Sequence, residues 1–256
     1  TVNTQPLMLT AGVAVFRLWR DRGGRTPDMV AGHSLGEYSA LVAAGVLRFA
    51  DAVPLVELRA RAMQEAVPSG EGAMAAILGL DAVAVKAACE AAAQGQVVEA
   101  VNFNSTEQIV IAGHAAAVQR AADAAKASGA KRALMLPVSA PFHCSLMKPA
   151  AERLGQRLAE LSLSAPLIPV MNNADVACLN DPQLIKEALV RQAASPVRWV
   201  ETMQAMAAQG VSHVYECGPG KVLTSLNRRV ERRPDLKMLA LEDPASIEAA
   251  LAACQE

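Results

Sequence analysis

Apolar residues recur at helical spacing from Leu7 to Arg20, the last turn is basic, and Gly23-Gly24 follows as a stop. Met29-Val30-Ala31-Gly32 then predicts a short buried strand that runs into Gly32-His33-Ser34-Leu35-Gly36. A helix is expected from about Glu37 to Ala44, and Asp51 is placed as the N-cap of another that runs to about Glu65. Pro68-Ser69-Gly70 breaks that pattern.

Between 70 and 139 the pattern changes. Ala73 to Leu78 predicts a strand, Asp81 opens a helix to about Ala93, and Val97 to Asn102 and Gln108 to Ala112 predict two more strands. A helix from Ala115 to Ser128 ends at Gly129, and Arg132 to Val138 closes the unit as a strand. The order β-α-β-β-α-β is the ferredoxin-like, split-βαβ arrangement. Residues 70–139 are therefore read as an inserted subdomain, and residues 1–69 and 140–256 as the main domain.

Beyond Pro141 the longer alternation resumes. Helices are expected over Leu146 to Leu161, Pro182 to Gln192 and Trp199 to Ala208, and strands over Ile168 to Asn172 and Val211 to Glu216. Gly218-Pro219-Gly220 turns into a helix from Lys221, and a strand from Lys237 to Leu241 precedes an Ala-rich C-terminal helix.

Composition narrows the function classes. The 256 residues carry 24 Lys+Arg against 25 Asp+Glu, a net charge of -1, which argues against nucleic acid or an anionic membrane as the main partner. The chain is 52% hydrophobic but 3% aromatic, a balance that favours closely packed helices over a β-sandwich. Leu7 to Phe16 is too short to span a bilayer and lacks a basic lead-in. The five cysteines (Cys89, Cys144, Cys178, Cys217, Cys254) are an odd, scattered set without C-x-x-C, so free thiols in a reducing cytosol are expected, with no zinc site. The chain starts at Thr1 and enters a helical pattern almost at once, so a preceding segment is expected.

Gly32-His33-Ser34-Leu35-Gly36 matches G-x-S-x-G between a strand and a helix. Small flanking residues suit a strained, closely packed turn that lifts the Ser34 hydroxyl above the sheet, and the Leu35 N–H can donate to an oxyanion. Such a nucleophile needs a base. His33 is adjacent, and successive side chains in such a turn diverge. His114 follows a strand, where a surface role is expected. Two candidates remain: His143, in the Pro-fixed loop Ser139-Ala140-Pro141-Phe142-His143-Cys144, and His213, within a strand. Ser34, Asp175 or Asp181, and His213 satisfy the Ser-acid-His order of a serine hydrolase, so chain order leaves that reading open.

Arg59 lies in a predicted helix, about 200° around the axis from Arg61. Facing inward it could grip a carboxylate by a bidentate contact; facing outward it is a solvated helix residue. Asn102 and Asn104 flank Phe103 at a strand end and read as turn formers. Gly218-Pro219-Gly220-Lys221 lacks the Ser/Thr and upstream Gly of a phosphate loop, since Val222 follows; close packing at a helix start is the better reading.

Gly32-His33-Ser34-Leu35-Gly36-Glu37-Tyr38-Ser39-Ala40 resembles the nucleophile segment of the malonyl-CoA:acyl carrier protein transacylases of fatty-acid synthesis. The likeness continues through Asn3-Thr4-Gln5-Pro6, Met63-Gln64-Glu65-Ala66-Val67-Pro68, Gly72-Ala73-Met74-Ala75-Ala76, Val101-Asn102-Phe103-Asn104-Ser105, Ile111-Ala112-Gly113-His114, and Glu216-Cys217-Gly218-Pro219-Gly220-Lys221-Val222-Leu223. The resemblance implies an α/β-hydrolase-like, parallel-sheet core carrying the ferredoxin-like insert.

It also implies roles. Ser34 matches the nucleophile, His143 the catalytic histidine, and Arg59 the carboxylate-binding arginine. A main-chain carbonyl near Gln192 orients the histidine in this family, with no acid required, which demotes His213. Leu35 matches the oxyanion donor, and His33, Asn102 and Phe142 line the pocket. Phe142-His143 is similar to the pair associated with malonyl preference in polyketide acyltransferase domains. Malonyl-CoA as substrate, acyl carrier protein as partner, no metal or cofactor, a cytoplasmic location and a monomer are the further expectations. Lys126, Lys131, Arg132 and Lys148 are candidates for a basic docking patch. Family members begin with a strand and a Gly-Gln-Gly-Ser-Gln loop whose second Gln supplies an oxyanion donor. Neither occurs here, so both are expected to be missing, a loss worth about 10²–10³ in rate. An acyltransferase domain of polyketide synthesis, the malonyltransferase of malonate decarboxylation and a non-catalytic carrier-protein-binding module are the alternatives.

Overall fold

A computed structural model describes residues 1–138 and 140–254. Ser139, at the start of the loop expected to carry the base, lies outside the described residues. The order of elements is α1 (Thr4–Asp21), β1 (Val30–Ala31), α2 (Leu35–Ala43), α3 (Phe49–Glu65), β2 (Gly72–Leu78), α4 (Ala82–Ala93), β3 (Val98–Ser105), β4 (Gln108–His114), α5 (Ala115–Ala127), β5 (Arg132–Met135), a 3-10 turn (Ser145–Met147), α6 (Lys148–Ala159), β6 (Val170–Met171), α7 (Pro182–Ala193), α8 (Trp199–Ala208), β7 (His213–Cys217), α9 (Val222–Val230), β8 (Lys237–Leu241) and α10 (Pro244–Ala253). The described residues form an α/β protein with three sheets. β1 pairs with β6 in parallel, β7 pairs with β8 in parallel, and β3-β4-β2-β5 form an antiparallel sheet. None of the described helices is long and apolar enough to cross a membrane.

Local chemistry explains some boundaries. Asp81 caps α4 by accepting from the Ala84 N–H at 2.8 Å, and Asp243 and Ser246 form a capping box on α10. Asp51 is not the N-cap of α3: that residue is Arg48, and Asp51 sits in the first turn, where its carboxylate accepts from Arg48 Nε at 2.6 Å. A negative charge there suits the helix dipole as well as a cap would. Lys221 is likewise the N-cap of α9, not its first residue. The turn before it owes its glycines to backbone conformation. Gly220 has φ +84, and a Cβ there would meet nothing within 4 Å, so close packing is not the reason for it.

The largest apolar cluster joins α1, α2, α3, α6 and α7 around β1 and β6, with Leu9, Tyr38, Leu55 and Leu154 at 0% exposure. At about 25 cal/mol per Å² of apolar surface removed from water, such burial is the main stabilising term. The antiparallel sheet has two apolar faces. One is covered by α4 and α5, through Val85, Cys89, Val118 and Ala121. The other packs Met74, Val101 and Val110 against Cys144. That second face fixes the loop beside His143. Pro141 approaches β2 so closely that a Cβ on Gly72 would lie 2.4 Å from its ring. Glu99 on β3 holds the far side of the loop, accepting from the Ser145 N–H at 2.9 Å and its hydroxyl at 2.6 Å.

Asn102 and Asn104 are not turn residues. Both lie within β3 at 6% and 8% exposure, in a stretch irregular enough to shift register twice against β4. His114 is partly buried, and its Nδ1 accepts from the Val97 N–H at 2.9 Å, so it ties the open end of the β3–β4 pair where a surface residue was expected.

Candidate active site

The parallel register Val30↔Val170 and Ala31↔Met171 brings two turns side by side, one after β1 and one after β6. The first holds Ser34, with φ 52 and ψ −107, at the N-cap of α2. A non-glycine residue at such angles costs of order 1–3 kcal/mol, which the surroundings must impose. Asn173, in the second turn, imposes it. Its Oδ1 accepts from the Ser34 N–H at 2.7 Å and its Nδ2 donates to the Gly32 carbonyl at 2.8 Å. Gly32 is obligatory, because a Cβ there would lie 1.9 Å from the Gly36 carbonyl carbon. Gly36 is different: a Cβ on it would meet nothing within 4 Å, so crowding explains only the first glycine of the motif.

The Ser34 Oγ lies 2.7 Å from His143 Nε2. His143 is 4% exposed and also has a left-handed backbone, φ 66. Its Nδ1–H donates to the main-chain carbonyl of Gln192 at 3.0 Å, which leaves Nε2 unprotonated to accept from the hydroxyl. Burial, reinforced by the positive charge of Arg59, pulls the imidazole down to about 3. A neutral histidine at pH 7 is the form that can take a proton.

Arg59 faces inward at 2% exposure, while Arg61 pairs with Glu57 on the outer face of α3. The guanidinium donates to Gln5 Oε1 at 2.7 Å, Gln192 Oε1 at 2.9 Å and Ser34 Oγ at 3.0 Å. No carboxylate lies within 4.0 Å of it among the described residues, and its ring neighbour is Tyr38, 5.3 Å from the guanidinium carbon. Burial holds the guanidinium below its usual value, yet arginine stays charged in practice. Gln192 is fully buried and bridges the parts. Its amide nitrogen donates to the Ser34 carbonyl at 3.0 Å and to Glu37 Oε2 at 2.9 Å. Glu37 also accepts from the Asn173 N–H at 2.9 Å, and burial raises its carboxyl to about 7.

Leu35 is the first residue of α2, so its N–H is one of the unpaired donors of a helix N-terminus, adjacent to Ser34. His33 Nε2 donates to Asn104 Oδ1 at 2.8 Å, and its ring lies 5.7 Å from that of Trp199. Desolvation keeps this imidazole below its ordinary value. Phe142 packs at the junction of the main core and the antiparallel sheet, and Asn102 pairs with Val197; neither hydrogen-bonds to Ser34, His143 or Arg59. The alternative Ser-acid-His set is not assembled. His143 is on Ser34, the His213 Nδ1 is with the Ser212 hydroxyl, Asp175 pairs with Arg191 and Asp181 caps α7. Gln5, Glu37 and Asn173 are site residues that sequence reasoning missed. Their partners lie up to 155 positions away, and only Glu37, the charged residue in the first turn of a mostly apolar helix, carried any local signal.

A hydroxyl that donates to a neutral imidazole, beside the Leu35 N–H at a helix start, is equipped to attack an acyl carbon. A buried arginine 3.0 Å from that hydroxyl, without an anionic partner, suits an acyl group bearing its own carboxylate.

Comparison with known proteins points the same way. Residues 1–241 match the model of a family described as acyl transferase domain. The chain is 59% identical over 251 residues to the malonyl CoA-acyl carrier protein transacylase of Escherichia coli K12, covering 98% of this chain and 81% of that relative. It superposes on the crystal structure of an acyl-carrier-protein S-malonyltransferase from Burkholderia pseudomallei with TM-score 0.96 and 58% identity, over 98% of this chain and 81% of that one. A malonyl-transacylase solved with a type II PKS acyl-carrier protein has TM-score 0.96 and 52% identity, over 99% of this chain and 81% of that one.

Proposed function

This chain belongs to the acyl transferase domain family, and from that premise we propose that it carries malonyl groups from malonyl-CoA to the pantetheine thiol of acyl carrier protein, in fatty-acid biosynthesis. The observation that carries the reading is the placement of the Ser34 Oγ, 2.7 Å from a neutral base and 3.0 Å from a buried guanidinium.

The steps follow from those contacts. His143 Nε2 takes the Ser34 proton as Oγ attacks the thioester carbonyl of malonyl-CoA, and the carbonyl electrons move onto oxygen. The Leu35 N–H helps to hold that oxyanion. Collapse breaks the C–S bond, and the proton on His143 passes to sulfur, so CoA leaves as a thiol. The carrier-protein thiol then gives its proton to His143 and attacks the malonyl-Ser34 ester; the acyl C–Oγ bond breaks and His143 returns the proton to Oγ, restoring the serine. Arg59 pairs with the free malonyl carboxylate, so an acetyl group leaves it unpaired and reacts less well. Gln192 holds His143 through its carbonyl, and His33, Asn102 and Phe142 complete the pocket. The reaction needs no metal or cofactor.

In this reading residues 1–69 and 140–256 form an α/β-hydrolase-like catalytic domain and residues 70–139 a ferredoxin-like insert. The sheet order β3-β4-β2-β5 with α4 and α5 on one face supports the insert. The protein works in the cytoplasm as a monomer. Arg132 and Lys148 are exposed and available to an acidic carrier protein, whereas Lys126 and Lys131 already lie near Asp123 and Glu107.

Intact mass spectrometry of the protein with malonyl-CoA tests the proposal. The expected result is a malonyl adduct that maps to Ser34 and is discharged by acyl carrier protein; failure to acylate overturns it. A polyketide carrier protein is the second possible acceptor, favoured by the similarity to the PKS-carrier complex, and comparing discharge by the two carriers decides between them.

A further inference from the structure

We propose that Glu37 is a positioning residue, whose carboxylate locks the Gln192 amide in the one orientation that presents its oxygen to Arg59 and its nitrogen to the nucleophile turn. The inference rests on the acyl-transfer reading above.

A simpler role for Glu37 is excluded by geometry. It stands at the third position after the N-cap Ser34, where a glutamate ordinarily reaches back to the N-cap N–H. Here that N–H is already taken by Asn173 Oδ1 at 2.7 Å. Glu37 turns away from its own helix instead. One oxygen, Oε2, accepts from the Asn173 N–H and from Gln192 Nε2, each at 2.9 Å. At 2% exposure it is not there for solubility.

The logic of the lock is donor and acceptor matching. An ionised carboxylate only accepts, and a guanidinium only donates. Gln192 lies between the two, so its NH₂ must face Glu37 and its oxygen must face Arg59, as observed at 2.9 Å. A flipped amide would set oxygen against carboxylate and NH₂ against guanidinium. The same residue supplies the carbonyl that orients His143, and its NH₂ also holds the Ser34 carbonyl at 3.0 Å. One anion on α2, together with Arg59 and the Ser34 carbonyl, thus fixes the hub shared by nucleophile, base and specificity arginine. A protonated Glu37 could donate as well as accept, and the lock would loosen.

The charged and titratable groups facing Glu37 are Arg59 from α3, which favours its ionisation, Asp175 from the turn after β6, which opposes it, and the neighbouring Tyr38, whose phenol is pushed up to about 12; α7 offers the neutral Gln192. Burial outweighs these and sets the carboxyl near 7. His143, at about 3, does not titrate in that range.

The test is the rate of Ser34 acylation by malonyl-CoA and by acetyl-CoA, measured from pH 5.5 to 8.5 for wild type, Glu37→Gln and Glu37→Asp. Wild type is expected to lose malonylation rate as pH falls through about 7, because the lock is protonated. Glu37→Gln keeps the shape but can present either end of its amide. It is expected to lose that acid limb, to malonylate at least about tenfold more slowly at pH 8, and to discriminate against acetyl about tenfold less well. Glu37→Asp keeps the charge and should keep an acid limb at reduced rate, so it decides the matter if Glu37→Gln does not fold. Wild-type rate, preference and acid limb in Glu37→Gln would overturn the proposal, as would an Asp variant without the limb. A wild-type protein that never acquires malonyl on Ser34 would instead overturn the acyl-transfer reading, and this inference with it.

Discussion

Replacing Arg59 with Met isolates the charge from the packing. Methionine fills much of the same buried volume, while the three donated hydrogen bonds to Gln5, Gln192 and Ser34 disappear. Two effects on stability oppose each other. The amide oxygens of Gln5 and Gln192 lose a buried partner, at about 1–3 kcal/mol each, but the fold no longer has to desolvate a guanidinium. The effect on selectivity has one sign. Truncating one side of a buried, hydrogen-bonded charge pair costs about 2–5 kcal/mol. At about 1.4 kcal/mol per factor of ten, the preference for malonyl over acetyl should fall by about 30- to 3000-fold. The assay is direct competition: equimolar malonyl-CoA and acetyl-CoA, quenched early, with the two Ser34 adducts weighed by intact mass spectrometry. Acetyl serves as the internal control, since it has no carboxylate to lose. A folded Arg59→Met protein whose preference stays within threefold of wild type would refute the carboxylate clamp.

His143→Ala should lower Ser34 acylation by about 10²–10⁴, the usual share of a general base, while His213→Ala leaves it near wild type; the reverse result in a stopped-time acylation assay would restore the hydrolase-type assignment. Gly32→Ala places a Cβ 1.9 Å from the Gly36 carbonyl carbon, so its urea midpoint should drop or soluble protein should be lost, whereas Gly36→Ala should unfold close to wild type. Stability against pH should separate two buried groups of opposite sign. His143 is held at about 3, below its unfolded 6.5, so its contribution is present above 6.5 and is lost as pH falls toward 3. Glu37 is held at about 7, above its unfolded 4.5, so its contribution grows as pH falls through 7 toward 4.5. Between 6.5 and 4.5 the slopes cancel in wild type. Urea melts of His143→Ala, relative to wild type, should therefore gain up to about 1.4 kcal/mol per pH unit on acidification, and those of Glu37→Gln should lose a similar amount. Parallel curves for all three proteins would show that neither group is buried as described.

Legibility in the sequence followed the range of the interactions. Ser34 was readable because its turn is local: a strand, a glycine that tolerates no Cβ and a helix start lie within five residues. The second glycine of the same motif carries no such signal, and pattern matching gave both the same reason. The order of strands and helices between 70 and 139 was legible as well, since β4 alternates between two buried faces and Asp81 and Gly129 punctuate the helices there. Asn102 and Asn104 were misread because asparagine favours turns only where nothing else claims it; here the bulged β3 turns Asn104 toward His33. Arg59 could have faced either way on composition alone. Family resemblance, not periodicity, turned it inward, and the reason is visible only in three dimensions: Gln5 is 54 positions away and Gln192 is 133. The choice of His143 over His213 has the same origin, because a carbonyl that orients an imidazole leaves no side-chain signature.

The backbone of Ser34 has a further consequence for evolution. At φ 52 and ψ −107 Ser34 occupies a region that glycine enters freely and serine does not. Ser34→Gly should therefore make a chemically inert protein that escapes a backbone cost of about 1–3 kcal/mol but gives up the contacts of the hydroxyl with His143 and Arg59. Selection for turnover must keep a side chain at a position whose backbone glycine would hold at less cost.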